Sequence, residues 1–217
     1  MKKETLWQPY PEELRTLASG ELQFSVSIPD HPHVVMGASG KPEKEVFIEA
    51  LRERHIPLYK RKGGGGTVLL GPNTIVVTIH ADVVHPFHNL GYFSAVNRAL
   101  MAVFGQWADL DYRERGISDI AIGQRKILGS SIYRRKQYLL YQASLLVDLD
   151  LDLMEKVLRY PPKEPDYRQG RAHADFVTSL RENGVQIDAK TLAADLRSNL
   201  RPFLQRELDR ANRAASS

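Results

Sequence analysis

Three features of the 217-residue sequence predict a mixed α/β domain, a β-sheet flanked by helices. Segment 73–80, NTIVVTIH, is densely β-branched and bounded by Gly71 and Pro72, the composition of a buried strand. Phe93, Val96, Leu100 and Phe104 recur at steps of three and four, and Leu192, Leu196, Leu200, Leu204 and Leu208 at steps of four, so two helices carry apolar stripes. Strand and helix signals alternate without a strict βαβ rhythm, which argues against a doubly wound parallel sheet.

The elements follow in order. Segments 22–28 and 34–36 read as strands separated by the turn residues Pro29, Asp30 and Pro32, and are expected to pair with each other. Pro42 opens a helix through EKEVFIEALRERH, with Val46, Ala50 and Leu51 on one face. Residues 56–59 enter a glycine run as a strand, and residues 73–80 form the central strand. After a loop rich in His comes the helix of Phe93 to Phe104. Residues 117–148 hold short β-type runs broken by Gly123 and Gly129 and end in a long strand within YLLYQASLLVDLD. Residues 150–158 form a short helix, YPPKEPDY an extended loop, and 187–211 a C-terminal helix before a fraying tail, ANRAASS. The whole is expected to be one domain, 1–217, without a large accessory C-terminal domain.

Composition removes several function classes. The 30 Lys and Arg against 26 Asp and Glu give a formal charge of +4, suited to anionic ligands and too small to argue for nucleic acid. The absence of Cys excludes disulfides, thiolate zinc sites, iron–sulfur clusters and every cysteine nucleophile. No apolar run approaches the roughly 18 residues of a membrane span, and MKKETLWQPYPEE lacks the apolar core of a signal peptide, so a soluble, cytoplasmic protein is expected.

Two stretches carry chemistry. In YKRKGGGGTVLLGPNTIVV, four consecutive glycines, Gly63, Gly64, Gly65 and Gly66, sit between Lys60, Arg61 and Lys62 and a strand. Glycine is costly in backbone entropy, so such a run points either to a loop whose main chain touches an anionic ligand or to a flexible hairpin with a solvated basic flank. Neither GxxxxGK[ST] nor GxGxxG occurs, so neither standard nucleotide loop applies. In GISDIAIGQRKILGSSIY, a hairpin turning at Gly123 and Gln124, Lys126 precedes Ile127 and Leu128 and the small residues Gly129, Ser130 and Ser131. Such a lysine aims its ammonium into a cavity, or lies exposed on a strand.

Together these stretches resemble the lipoate–protein ligases and octanoyltransferases, the lipoate–protein ligase A family, which shares a fold with biotin ligases. Arg61, the glycine run, Thr67, Val68 and Asn73 match the first family signature. Ser118, Asp119, Lys126, Ile127, Gly129 and Ser130 match the second, and Arg171 with Thr178 and Ser179 approximates a third. The resemblance spans about residues 34–180. It implies a biotin/lipoyl protein ligase-like fold and ATP-dependent joining of lipoate to AMP, then transfer to a lysine of a lipoyl-domain acceptor, a 2-oxoacid dehydrogenase E2 or a glycine cleavage H-like protein. Lys126 is then the catalytic cation. Asp119 and Ser118 correspond to residues at the adenine, Asn73 to one near the phosphate, and the glycine loop with Val68 and Leu69 would hold the acyl chain. Tyr141 and Arg171 are further candidates, lipoate or octanoate is the acyl substrate, and Mg²⁺ is expected with ATP. The chain departs from the family in having Leu70 and Gly71 where many ligases have His-Asp, and Tyr141 and Gln142 where they often have paired His.

Without Cys, the octanoyltransferases that work through an enzyme thioester are excluded, and the ATP-dependent ligase is preferred. The rivals are a cysteine-independent acyl transferase and a non-catalytic lipoyl- or nucleotide-binding subunit that needs a partner. A separate accessory subunit is compatible with the missing domain. No nucleic-acid or membrane partner is expected. His80, Asp82, His85 and His88 match no metal motif, and a surface loop is the simpler reading, so no metal site is assigned. Arg134, Arg135 and Lys136 either help dock an acidic acceptor or solvate a strand end.

Overall fold

The β-branched and alternating segments assemble into two sheets in the computed structural model, which describes residues 6–85 and 87–214. Residues 1–5, Pro86 and residues 215–217 lie outside that description, and with them parts of the N-terminal, His-rich loop and tail readings. In chain order the strands are β1 (Gln8–Pro9), β2 (Leu22–Ser27), β3 (His33–Met36), β4 (Leu58–Lys60), β5 (Val68–Leu70), β6 (Thr74–Asp82), β7 (Tyr112–Arg115), β8 (Asp119–Ile122), β9 (Arg125–Arg135) and β10 (Tyr138–Leu146). The helices are α1 (Pro42–Glu45), α2 (Ile48–Glu53), α3 (Asn89–Phe104), α4 (Leu151–Val157), α5 (His173–Phe176) and α6 (Ala189–Ala214). A six-stranded sheet runs β2-β6-β10-β9-β8-β7, and a four-stranded sheet runs β1-β4-β3-β5.

The large sheet is antiparallel throughout and its two faces differ. Ile75, Val77, Ile79, Leu139, Tyr141, Ala143, Leu145, Leu128 and Ile120 face α3 and α6 in the main core. Both apolar helix stripes sit as expected: Val96, Leu100 and Phe104 on α3 and all five leucines of α6 are buried in this layer. The opposite face is smaller and more polar. Val76, Ser144, Gly129 and Asp119 stand side by side on β6, β10, β9 and β8. The small sheet and the loops beside it cover this face, with Val35 of β3 and Leu70 of β5 packing on Val76.

Two local expectations are corrected, and one strand is found that the sequence did not mark. Strands β2 and β3 do not pair: β2 joins β6 and β3 joins β4 and β5, so the 28–32 turn passes the chain from one sheet to the other. The single helix after Pro42 is two short ones, because Val46 leaves the helix to bridge Leu158 and is wholly buried beside Leu51, Val157 and Phe176. The edge strand β7, YRER, carries no apolar alternation by which the sequence marks a strand. Asp150 caps α4 by accepting from the Leu153 N–H at 2.9 Å. The C-terminal helix runs past its expected end at 211 through Ala214, into a tail expected to fray. Among the described residues no helix is long and apolar enough to cross a membrane.

Candidate active site

Strand β9 organises the site through one irregularity. Asp119 pairs with Gly129 and Ile120 with Leu128, but Ala121 pairs with Lys126, so Ile127 is an extra residue, a β-bulge. Side chains three apart on a regular strand project to opposite faces. The bulge cancels that rule and turns Lys126 to the face of Asp119 and Gly129, while Ile127 and Leu128 both enter the core. The Lys126 ammonium lies 2.8 Å from Asp119 Oδ1, with the carboxylate almost wholly buried and the lysine about a quarter exposed. Gly129 makes room for it: a Cβ there would stand 2.6 Å from Lys126 Nζ and 2.7 Å from Cε. The Lys126 carbonyl accepts from the Thr178 N–H at 2.8 Å, which docks the FVTSL segment alongside β9.

Asp119 is held from a second direction. The Tyr167 hydroxyl donates to Oδ2 at 2.9 Å. Burial first and the Asp119 charge second push the Tyr167 hydroxyl far above its ordinary value, so it remains a donor at neutral pH. Ser118 Oγ stands 3.4 Å from Asp119 Oδ1, and the Ser118 carbonyl accepts from both the N–H and the hydroxyl of Ser130, at 3.1 and 2.8 Å. Ser130 thus fixes the β7–β8 turn.

The glycine loop reaches the same strand one step further along. A Cβ on Gly63 would meet Ser131 Oγ at 2.8 Å, and Gly65 has φ +90°, the left-handed region. Gly37, at the end of β3, approaches so closely that its Cβ would overlap the Gly65 carbonyl oxygen, at 2.0 Å. Gly64 and Gly66 face open space. The loop is therefore built, with closely packed glycines alternating with exposed ones at which an added Cβ would meet nothing.

Arg61 supports the loop from below. Its guanidinium donates to the carbonyls of Val35, Gly64 and Gly66 at 3.2, 2.7 and 2.8 Å. Burial lowers its pKa to about 10, against the opposing pull of Glu12 and Glu45, and it stays charged at neutral pH. At the far end, the Thr67 hydroxyl donates to Glu45 Oε2, whose other oxygen accepts from the Lys41 N–H at 3.1 Å. Val68 lies in β5 opposite Val35.

The expected residues thus divide into three groups. Lys126, Asp119, Gly129 and the glycine run converge beside β9. Arg61, Thr67, Ser118 and Ser130 act on main chain or on other residues that shape this ground. Arg171 also spends its guanidinium on carbonyls, those of Arg168, Asp175, Gln124 and Tyr167, and so ties the 167–175 segment to the β8–β9 turn. Tyr141 and Asn73 are not brought to Lys126. Tyr141 is fully buried on the helix side of the sheet, donating to Asn97 Oδ1 at 3.0 Å. Asn73 is exposed before β6, and its carbonyl accepts from the Val147 and Asp148 N–H groups. Sequence reasoning missed Tyr167, which sits in a segment read only as a loop, and Glu45, which lies within the expected helix. The close approach at Gly37 was also missed, and the one signal that could have found it is the pair Gly37 and Gly40 directly after a strand in VVMGASGK.

Among the described residues no three His, Asp or Glu side chains converge as metal ligands. His80 lies 2.7 Å, through Nδ1, from the Tyr138 hydroxyl. Arg134 donates to the His85 and Lys136 carbonyls and stacks on Tyr92, so it is bound into its hairpin.

Similarity to known proteins agrees with this geometry. A family model of the lipoyl protein ligase A/B catalytic domain matches residues 17–201. "Lipoate-protein ligase A subunit 1" of Thermoplasma acidophilum is 28% identical over 142 residues, covering 60% of this chain and 53% of that protein. "Octanoyltransferase LipM" of Brevibacillus brevis is 23% identical over 181 residues, covering 70% and 62%. A solved structure of the bi-partite lipoate protein ligase and its E2 lipoyl domain from Thermoplasma acidophilum matches at TM-score 0.71 and 21% identity, over 89% of this chain and 78% of that one, a likeness of fold. The chain spans about half the length of the first curated relatives it matches. With that match over residues 17–201, the chain belongs to the lipoyl protein ligase A/B catalytic domain family.

Proposed function

We propose that the chain activates lipoate with ATP and transfers the acyl group to a lysine of a lipoyl-domain protein. The observation that carries this reading is the Lys126 ammonium, pinned by Asp119 beneath Gly129 and next to an exposed glycine loop. In the first step a lipoate carboxylate oxygen attacks the α-phosphorus of ATP, and the bond to the bridging oxygen of the leaving pyrophosphate breaks. Both reactants are anions, so a fixed cation lowers the cost of their approach and of the charge that develops between them. In the second step the acceptor lysine nitrogen attacks the acyl carbonyl, the bond to AMP breaks, AMP leaves with the electron pair and the nitrogen loses a proton. The ammonium of Lys126 neutralises the departing phosphate oxygen.

The roles of the remaining residues follow from their contacts. Asp119 and Tyr167 orient the ammonium. The exposed glycine loop, whose Gly64 and Gly66 carbonyls are held by Arg61, lies along the acyl chain and carboxylate with its N–H groups as donors, and Val68 is the apolar wall. The residues around Lys126 do not form a cage for Mg²⁺, since no three potential ligands converge among those described, and Mg²⁺ belongs with the nucleotide phosphates. Residues 1–217 act as one catalytic unit in the cytoplasm, on an E2 or glycine cleavage H-like acceptor, with neither nucleic acid nor membrane as partner. An accessory subunit is part of this reading, because the chain spans about half of its first curated relatives, one of which is itself named a subunit.

The test is the mass of a purified lipoyl domain after incubation with the chain, lipoate and Mg·ATP. A lipoyl mass shift that requires ATP and is lost in Lys126→Ala is expected. Modification only from an octanoyl-carrier donor without ATP would replace the ligase with a cysteine-independent transferase. Lipoyl-adenylate formation without transfer would assign the second step to a partner subunit.

A further inference from the structure

The side-chain row on the ligand side of the large sheet continues one strand beyond Asp119. Arg115 of β7 is the direct cross-strand partner of Asp119, and opposed residues of an antiparallel pair project from the same face, roughly 5 Å apart. The order across the sheet is therefore the glycine loop over Ser131, then Lys126 with Asp119, then Arg115. The Arg115 charge acts on the Tyr167 hydroxyl, which is bonded to Asp119.

Arg115 differs from every other cation of this region. Arg61 and Arg171 are spent on main-chain carbonyls, and Lys126 is paired with Asp119. The Arg115 side chain makes no hydrogen bond or salt bridge to any of the described residues, and its Nε is shut off from solvent without an acceptor. A desolvated guanidinium N–H without a partner is an unfavourable arrangement that an oxygen-rich anion relieves. A nucleoside triphosphate also carries several negative charges, whereas Lys126 is largely offset by Asp119.

We propose that Arg115 is a phosphate-binding residue of the nucleotide site, holding the polyphosphate on the side of Asp119 remote from the glycine loop. This rests on the ATP-dependent reading above. It splits the site into an acyl half under the loop and a phosphate half at the β7–β8 edge, with the Lys126 ammonium at the junction where the carboxylate meets the α-phosphate, and so puts phosphate beside Asp119, where the family resemblance implies adenine, and not at Asn73. The planar fork of arginine can take two phosphate oxygens at once, which a lysine cannot.

The experiment is calorimetric titration of the full chain, as wild type, Arg115→Ala and Arg115→Lys, with Mg·ATP, Mg·pyrophosphate and lipoate in separate runs. Arg115 is partly exposed on an edge strand, and thermal unfolding checks that each variant is folded. Arg115→Ala is expected to bind Mg·ATP and Mg·pyrophosphate at least tenfold more weakly and lipoate as wild type does, while Arg115→Lys recovers part of the loss. Equal phosphate affinity in Arg115→Ala overturns the proposal, as does a parallel loss of lipoate, which would mark a merely structural residue. A wild type that binds no Mg·ATP overturns the ATP-dependent reading and this proposal together. Retained wild-type binding with an indifferent Arg115→Ala removes the proposal alone.

Discussion

Gly129 shows how one missing methyl group governs the reactive lysine. A Cβ there would press on Nζ and Cε of Lys126, the far end of a flexible side chain rather than backbone, so the ammonium would give way and leave Asp119. Gly129→Ala is therefore expected to unfold within about 1 kcal/mol of wild type while losing most of its acyl transfer, the pattern of a displaced catalytic group. Gly71→Ala is the control, because its Cβ would meet Pro32 only at 3.8–4.0 Å, an ordinary contact, away from the glycine loop and Lys126. Urea unfolding and the lipoyl-domain mass assay on both variants check this pair, and undiminished transfer by Gly129→Ala would remove Lys126 from the chemistry. The sequence singled out Lys126, Asp119 and Gly129 by type and spacing. It did not separate Arg61 and Arg171, which hold main chain, from Arg115, which holds no partner, since the direction of a guanidinium is set by carbonyls distant in sequence.

The β9 bulge and the 165–177 segment decide the site at the level of elements. The bulge is invisible in QRKILGSS, because an alternation broken by one residue looks the same as two short strands. The segment after α4 folds back through a turn of 3₁₀ helix at Asp166–Arg168 and α5, bringing Tyr167 to Asp119. Within it, burial and then the Arg168 charge lower the His173 pKa to about 4. Its folded pKa lies below the unfolded value near 6.5, so the unfolded chain takes up the proton first. Stability is then full above pH 6.5 and is lost as pH falls from 6.5 towards 4. For a ring that is only half-buried the loss is expected to be about 1–2 kcal/mol. Urea unfolding at pH 7 and pH 4.5 is expected to show a smaller acid loss in His173→Gln, and an equal loss in both would deny His173 the effect. The split of the expected helix at Val46 has the same origin, a buried contact with Leu158 that local helical period does not register.

The whole molecule is a sandwich in which α3 and α6 back the large sheet and the small sheet covers part of its other face. The site lies where that cover gives way to the glycine loop. Its precision depends on the helical layer that backs the sheet. Leu200 at the centre of the α6 stripe is fully buried, and Leu200→Ala is expected to cost about 2–5 kcal/mol. The midpoint of thermal unfolding measures it, and a change under 1 kcal/mol would mean that α6 is not part of the cooperative core. The sequence alone determined the α3 and α6 stripes, the long strands, the glycine loop and the Lys126 signature, because period, composition and motif spacing are properties of neighbouring residues. Only the tertiary structure decided that the first two strands serve different sheets, that Tyr141 faces α3 rather than the ligand, and that Arg115 stands beside Asp119. Each of these depends on register and on the face a side chain takes, and one bulge or one sheet-crossing turn reverses that face without altering the local pattern.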